Sequence, residues 1–262
     1  SFTLDTTPKE RMGNPEDWKS PEDQDRERSR KLRELDDFFD SAAAYGKARS
    51  AAGGSNGLQT VPAWEATLPV LRGEVPVFLH ANEYRQIRSA VEWAARRKLR
   101  CVLAGGRDAA RLADLLATHR VAVAYEHVFT LPPREVDPYD VQFTTPAALH
   151  RAGVKVTFSE GTERFGASTV RNIPYAAAQA VAFGLPPAEA LRGLTLYPAQ
   201  LLGVADRLGS LEPGKDATFV VANGDLLDLR TQVVRLWIAG VEVPVESRHT
   251  RLYERYRARP KP

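Results

Sequence analysis

Four short apolar runs in this 262-residue chain end on residues that could do chemistry. "VPVFLH" closes on His80, "CVLAGG" on Gly105 and Gly106, "RVAVAYEH" on Glu126 and His127, and "VKVTFSEG" on Ser159, Glu160 and Gly161. Two histidines and a carboxylate are a workable ligand set for zinc, so His80, His127 and Glu160 would suit a metal if the runs bring them to one face. Each has a plainer reading too: a histidine at a strand end is often a hydrogen-bonded pocket residue, and Glu160 an exposed loop acid. The Gly105-Gly106 step offers backbone amides to an anion or, equally, a tight strand-to-helix turn.

These residues need a scaffold, and the pattern supplies one. Each apolar run is followed by a helical stretch. Ile87, Ala90, Val91 and Ala94 share one helical face, and "RDAARLADLLATH", "DVQFTTPAALHRAG" and "NIPYAAAQAVAFG" follow the next three runs. Apolar strands alternating with helices predict a parallel sheet covered by helices, either doubly wound or part of a barrel. In both architectures the chemistry belongs at the carboxyl ends of the strands, where the four sets of residues fall.

The flanks read differently. Residues 1 to about 27 are polar and proline-punctuated, as in a loop. From Arg28, the residues Leu32, Leu35, Phe39, Ala42, Ala43 and Tyr45 recur at helical spacing, and a glycine-rich linker, "AAGGSNG", follows. Beyond Leu202, "GSLEPGKDATFVV" predicts two short extended runs about a type II turn at Pro213-Gly214. "QVVRLWIAGVEVPV" predicts a strand pair about Ala239-Gly240. Together they make a β element too small for a core of its own. The boundaries that follow are an N-terminal segment (1–60), an α/β unit (61–203), the β element (204–247) and a basic tail (248–262).

Composition narrows the function classes. A formal charge of +3 is too small to argue for nucleic acid, although Arg251, Arg255, Arg257, Arg259 and Lys261 make the tail basic. No apolar run approaches the ~18 residues of a membrane helix. The one cysteine, Cys101, sits in an apolar run as a small core residue. His119, His150 and His249 read as surface residues. There is no Gly-X-Ser-X-Gly elbow, phosphate loop, Cys-X-X-Cys or dinucleotide glycine pattern. The chain starts at Ser1, so the expectation is a removed leader or a piece of something longer; the residues assign no compartment.

From about Leu191 to Val243, "ALRGLTLYPAQLLGVADRLGSLEPGKDATFVVANGDLLDLRTQVVRLWIAGVEV" resembles the C-terminus of the amidohydrolase superfamily, in its imidazolonepropionase-like branch. "LPVLRGEVPVFLHANEYRQIRSAVEWA" and "LHRAGVKVTFS" resemble strands five and eight of that family's barrel. The resemblance implies a partial (β/α)8 TIM-type barrel, its C-terminal half, with a small β-sandwich element. It implies hydrolysis of non-peptide carbon–nitrogen bonds in cyclic amides or amidines by metal-activated water, with zinc foremost among the divalent metals.

Carried onto this chain, the resemblance makes His80 the strand-five ligand. It puts Gly105 where strand six should end in histidine, and Gly161 where strand eight should deliver an aspartate. Glu160 becomes that acid, and the general base, only after a slip of one residue. His127 falls on strand seven, where no ligand is required. No His-X-His occurs, so the first two ligands are absent from the chain. Three expectations follow: a C-terminal portion of a hydrolase whose metal comes mainly from a missing N-terminal half; a degenerate, metal-free member acting as a binding or interaction protein; or a chain completed by a partner polypeptide. The partners implied are a small-molecule substrate, the missing half or a partner chain, and a second copy of this chain.

Overall fold

The computed structural model describes residues 20–51, 59–161, 166–257 and 259. The N-terminal polar stretch before Ser20 and most of the glycine-rich linker lie outside the described residues.

Helix α1 (Pro21–Ala51) begins seven residues before the first helical position in the sequence pattern. Ser20 explains the early start. Its Oγ accepts the Asp23 amide at 3.1 Å and donates to the Asp23 carboxylate at 2.8 Å, an N-terminal cap placed just before a proline. The apolar stripe is as expected, with Phe39, Ala42 and Tyr45 buried. A helix that the pattern did not reveal follows, α2 (Pro62–Leu71), again with proline at its first position. It packs along α1.

The centre is a parallel sheet of β1 (Val77–Ala81), β2 (Cys101–Gly105), β3 (Ala122–Tyr125) and β4 (Val156–Phe158), in spatial order β1-β2-β3-β4. The strands are separated by α3 (Tyr84–Arg96), then a 3-10 turn (Ala109–Leu112) running into the short α4 (Ala113–Thr118), and then α5 (Val141–Arg151). Strand order equals chain order. With right-handed crossovers, every connecting helix must therefore lie on the same face, as in a barrel wall and unlike a doubly wound sheet, whose order reverses.

Burial agrees with that deduction. Leu103, Val123, Tyr125, Val156 and Phe158 form one apolar cluster with Ile87, Leu116 and Leu149 from the helices. The alternate residues line up in rows on the opposite face: Phe78, Val102 and Ala122 in one, His80, Ala104, Ala124 and Thr157 in the next. None of this second set belongs to the helix-facing cluster.

After β4 come α6 (Gly166–Thr169), a 3-10 turn, α7 (Ile173–Ala182), α8 (Pro187–Leu194) and α9 (Leu196–Leu201). A second cluster joins α1 to the outside of α3. Phe39 meets Trp93 edge-on at 5.3 Å, Trp93 Nε1 donates to Asp36 Oδ1 at 2.9 Å, and Arg97 donates to Asp36 and Asp40. Burial alone would raise the Asp36 carboxyl, but Trp93 and Arg97 hold it below its ordinary value.

The small antiparallel sheet consists of β5 (Phe219–Ala222), β6 (Val233–Ile238) and β7 (Val241–Val243), in that order. Ala239 and Gly240 both have positive φ, 49° and 80°, the geometry of a tight hairpin turn. The turn at Pro213-Gly214 closes with the Lys215 amide on the Glu212 carbonyl, and Gly214 has φ 92°. One expectation needs correcting: the run before that turn is not a strand. At Gly209 (φ 91°) the chain bends tightly against Ala199 of α9, where an added Cβ would come within 2.7 Å of the alanine methyl. The basic tail is helical, α10 (Arg248–Arg257), with no buried residue. Among the described residues no helix is long and apolar enough to cross a membrane.

Candidate active site at the strand ends

The carboxyl ends of β1 to β3 are tied together by Asn82, one residue beyond β1. Its amide donates to Gln86 Oε1 at 3.1 Å, and its carbonyl accepts the Asp108 amide at 2.8 Å. Its side-chain Oδ1 meets His127 Nε2 at 2.6 Å. Gln86 also accepts the Glu83 amide, completing the cap that starts α3.

Gly105 is what allows Asn82 to sit there. It has φ 93°, a region that side chains disfavour, and a Cβ on it would fall 2.4 Å from Asn82 Oδ1. Gly106 follows at φ 76°, its amide donating to the Ala81 carbonyl at 2.9 Å. The two glycines thus make a tight turn around Asn82, and the Gly106 amide already has its acceptor.

His127 is 7% exposed, with its ring edge-on to Tyr125 at 6.1 Å. Burial, and then the nearby Arg107 guanidinium, push its pKa down to about 4. The ring is therefore neutral at ordinary pH. Its Nδ1 and the Arg107 Nε are both buried and have no hydrogen-bond partner. Beneath it, Tyr125 donates its hydroxyl to Gln142 Oε1, and burial raises the phenol pKa.

A second anchored group lies beside this one. Asp108, 4% exposed, accepts the Tyr84 amide at 3.0 Å and both terminal nitrogens of Arg134, which also reaches Asp137. Burial would raise the Asp108 carboxyl, but Arg134 and the Tyr84 amide hold it below its usual range. This contact fixes the connection from β3 to α5 against the strand ends. A cleft of about 400 Å3 opens there, lined by Glu83, Tyr84, Arg85, Arg111 and Arg134.

At the far end of the sheet, Glu126 reaches across to Gly161. A Cβ on Gly161 (φ 75°) would fall 2.9 Å from Glu126 Oε2. Gly161 donates its amide to Ser159 Oγ at 3.0 Å, and Glu160 is half-buried. His80 is half-buried on the sheet face opposite α3, α4 and α5, in the row with Ala104, Ala124 and Thr157.

The expected trio is not gathered. Among the described residues no group of three His, Cys, Asp or Glu side chains could hold a metal ion. The residues present do not by themselves fit the metal that the resemblance implies, and His127 has a carboxamide partner instead. Of the other histidines, His119 is exposed just beyond α4, His249 is exposed on α10, and His150 lies on α5 with Nδ1 3.6 Å from Glu189. Asn82, Asp108 and Arg134 carry no motif. Asn82 could have been suspected from its period-two relation to His80.

Comparison with known proteins follows the fold. The family model for the amidohydrolase family matches residues 94–243, more than half of the chain. Among curated proteins, the imidazolonepropionase of Erwinia tasmaniensis is 60% identical over 38 residues, 14% of this chain and 9% of that protein. A putative N-acetylgalactosamine-6-phosphate deacetylase of Escherichia coli is 46% identical over 57 residues, 22% of this chain and 31% of that one. Among solved structures, an amidohydrolase from Thermotoga maritima superposes with a TM-score of 0.68 at 29% identity, over 80% of this chain and 54% of that one. The chain therefore spans about half the length of that solved relative, and the matches to the curated relatives cover under a third of theirs. By its matched sequence and by its fold, the chain belongs to the amidohydrolase family.

Proposed function

We propose that the protein containing this chain hydrolyses a non-peptide carbon–nitrogen bond in a small cyclic amide or amidine, and that this chain forms one side of the substrate-binding mouth. The observation that carries the reading is the set of polar side chains, His80, Asn82, His127 and Glu160, at the carboxyl ends of β1, β3 and β4 of one parallel sheet in an amidohydrolase fold. In such a fold the reacting group sits at those ends. The curated relatives, a deacetylase and an imidazolonepropionase by name, support the bond class.

The family's chemistry uses a divalent metal, zinc foremost, to make hydroxide from water near neutral pH. The described residues do not assemble its ligands. It would be held mainly by residues outside this chain, from a preceding segment or a partner polypeptide, with His80 as this chain's contribution. Glu160 is the candidate proton acceptor. Asn82 and His127 form a neutral hydrogen-bonded wall, and Arg85 and Arg111 at the rim would suit a substrate with an acidic group. A second copy of the chain remains among the proposed partners, and nucleic acid does not.

A second reading, a binding protein that has lost hydrolysis, is favoured by one specific observation: glycine stands at both positions where the resemblance expects further ligands. Assay of the full-length, zinc-loaded protein against a panel of lactams, cyclic ureas and cyclic amidines separates the two. Turnover that falls at least 100-fold in His80→Asn supports hydrolysis; saturable binding without turnover selects the second reading.

A further inference from the structure

We propose that the ends of β2 and β4 have been rebuilt rather than merely stripped: Asn82 occupies the space beside Gly105 that a ligating side chain there would need, and Glu126 occupies the space beside Gly161, so residues 105–161 hold no metal. This rests on the family reading for which positions matter, and it deepens that reading by assigning what replaced them. A lost ligand usually leaves a gap or a small residue. Here a Cβ on either glycine would meet a side-chain oxygen, at 2.4 Å and 2.9 Å, so that Asn82 or Glu126 would have to shift to admit it, and both glycines have positive φ.

Asn82 is held on every side. Its backbone bonds to Gln86 and Asp108, its carboxamide to His127, and its near neighbour Gly106 is bonded to the Ala81 carbonyl. Placing histidine at 105 would displace the carboxamide, free the buried His127 ring and strain the backbone together. One substitution cannot restore the site. The Asn82-Gly105 pair is the more rigid of the two, because Glu126 meets Gly161 with the far end of a flexible side chain.

Two measurements on the full-length protein test this. Zinc alone is the probe in the first, by equilibrium dialysis and elemental analysis of the wild type, His127→Asn, Glu126→Gln and Glu160→Gln. The expected result is the same zinc content per chain in all four, whether one ion or none. A loss of half or more in any variant that keeps its melting temperature overturns the proposal, while leaving the hydrolase reading intact. Conversely, a wild type without zinc or turnover removes the hydrolase reading and leaves this one standing.

The second measurement compares Gly105→Ala in the wild-type and Asn82→Ala backgrounds. Contacting residues couple, so the fall in Tm caused by Gly105→Ala should be at least halved once the carboxamide is gone. Equal falls in both backgrounds would mean that backbone conformation alone requires the glycine, and the space-filling role of Asn82 would be withdrawn.

Discussion

His127 gives the sharpest handle on the strand ends, because burial has moved its titration well below the ordinary imidazole value. Its pKa is pushed down to about 4 in the folded protein, against ~6.5 for an unperturbed imidazole. Between those values the unfolded chain binds a proton that the folded chain refuses, so stability falls as pH falls through this window. Above pH ~6.5 both states are neutral and there is no effect. At pH 5 the linkage removes about 2 kcal/mol, and the full loss of about 3 kcal/mol is reached below pH ~4. For a domain of this size, 2 kcal/mol corresponds to a fall in Tm of roughly 4–8 °C. The measurement is calorimetric Tm at pH 8 and pH 5 for the wild type and for His127→Gln. The variant keeps a polar group near Asn82 but does not titrate. Its Tm at pH 8 should be lower because ring packing against Tyr125 is lost; the diagnostic quantity is the difference between the two pH values. The other histidines contribute equally to both proteins and cancel. Parallel pH dependence in wild type and variant would refute the buried, neutral imidazole and with it the account of the Asn82 contact.

Asp108→Ala should free the β3–α5 connection. The substitution leaves the Tyr84 amide without its acceptor and Arg134 with Asp137 alone, and because Arg134 is partly solvated the expected cost is about 2–3 kcal/mol rather than the larger figure for a fully buried pair. Trypsin should then cut the Arg134–Glu135 bond at least tenfold faster; unchanged cleavage would show that the connection is held elsewhere. The Asp108 carboxyl is depressed, so its stabilisation is complete above pH ~4 and disappears as pH falls through the lower folded-state value. Cys101 supplies a separate check on the β1–β2 packing. Burial raises its thiol to about 11. At pH 8 it should therefore react with iodoacetamide about 100-fold more slowly in the folded protein than in urea, since only the thiolate attacks. Comparable rates would mean that the strand is open.

The strand and helix rhythm was legible because each buried parallel strand must be apolar on both faces, and each covering helix must show a 3.6-residue stripe. "VPVFLH" followed by Ile87, Ala90, Val91 and Ala94 carries both signals within about twenty residues. Whether the sheet was a barrel wall or doubly wound was not legible from periodicity, since that depends on spatial strand order; the order β1-β2-β3-β4 decides it through the handedness of the crossovers. Helix α2 was hidden because its ten residues include two prolines and lie next to an apolar strand, which blurs the stripe.

The site was legible only as positions. The strand ends could be listed, and His127 stood out as a histidine, but its role depends on Asn82, 45 residues earlier in the chain. A residue type announces what a side chain can donate or accept; it does not announce which neighbour reaches it first. At Gly105 the sequence reads as the absence of a ligand. In the folded chain the same glycine is a condition for the Asn82–His127 contact, since any side chain there would collide with the carboxamide. On the proposed reading, the missing ligand and the hydrogen-bonded wall are thus one structural feature. The useful question about activity is therefore which ligand or substrate this neutral wall faces.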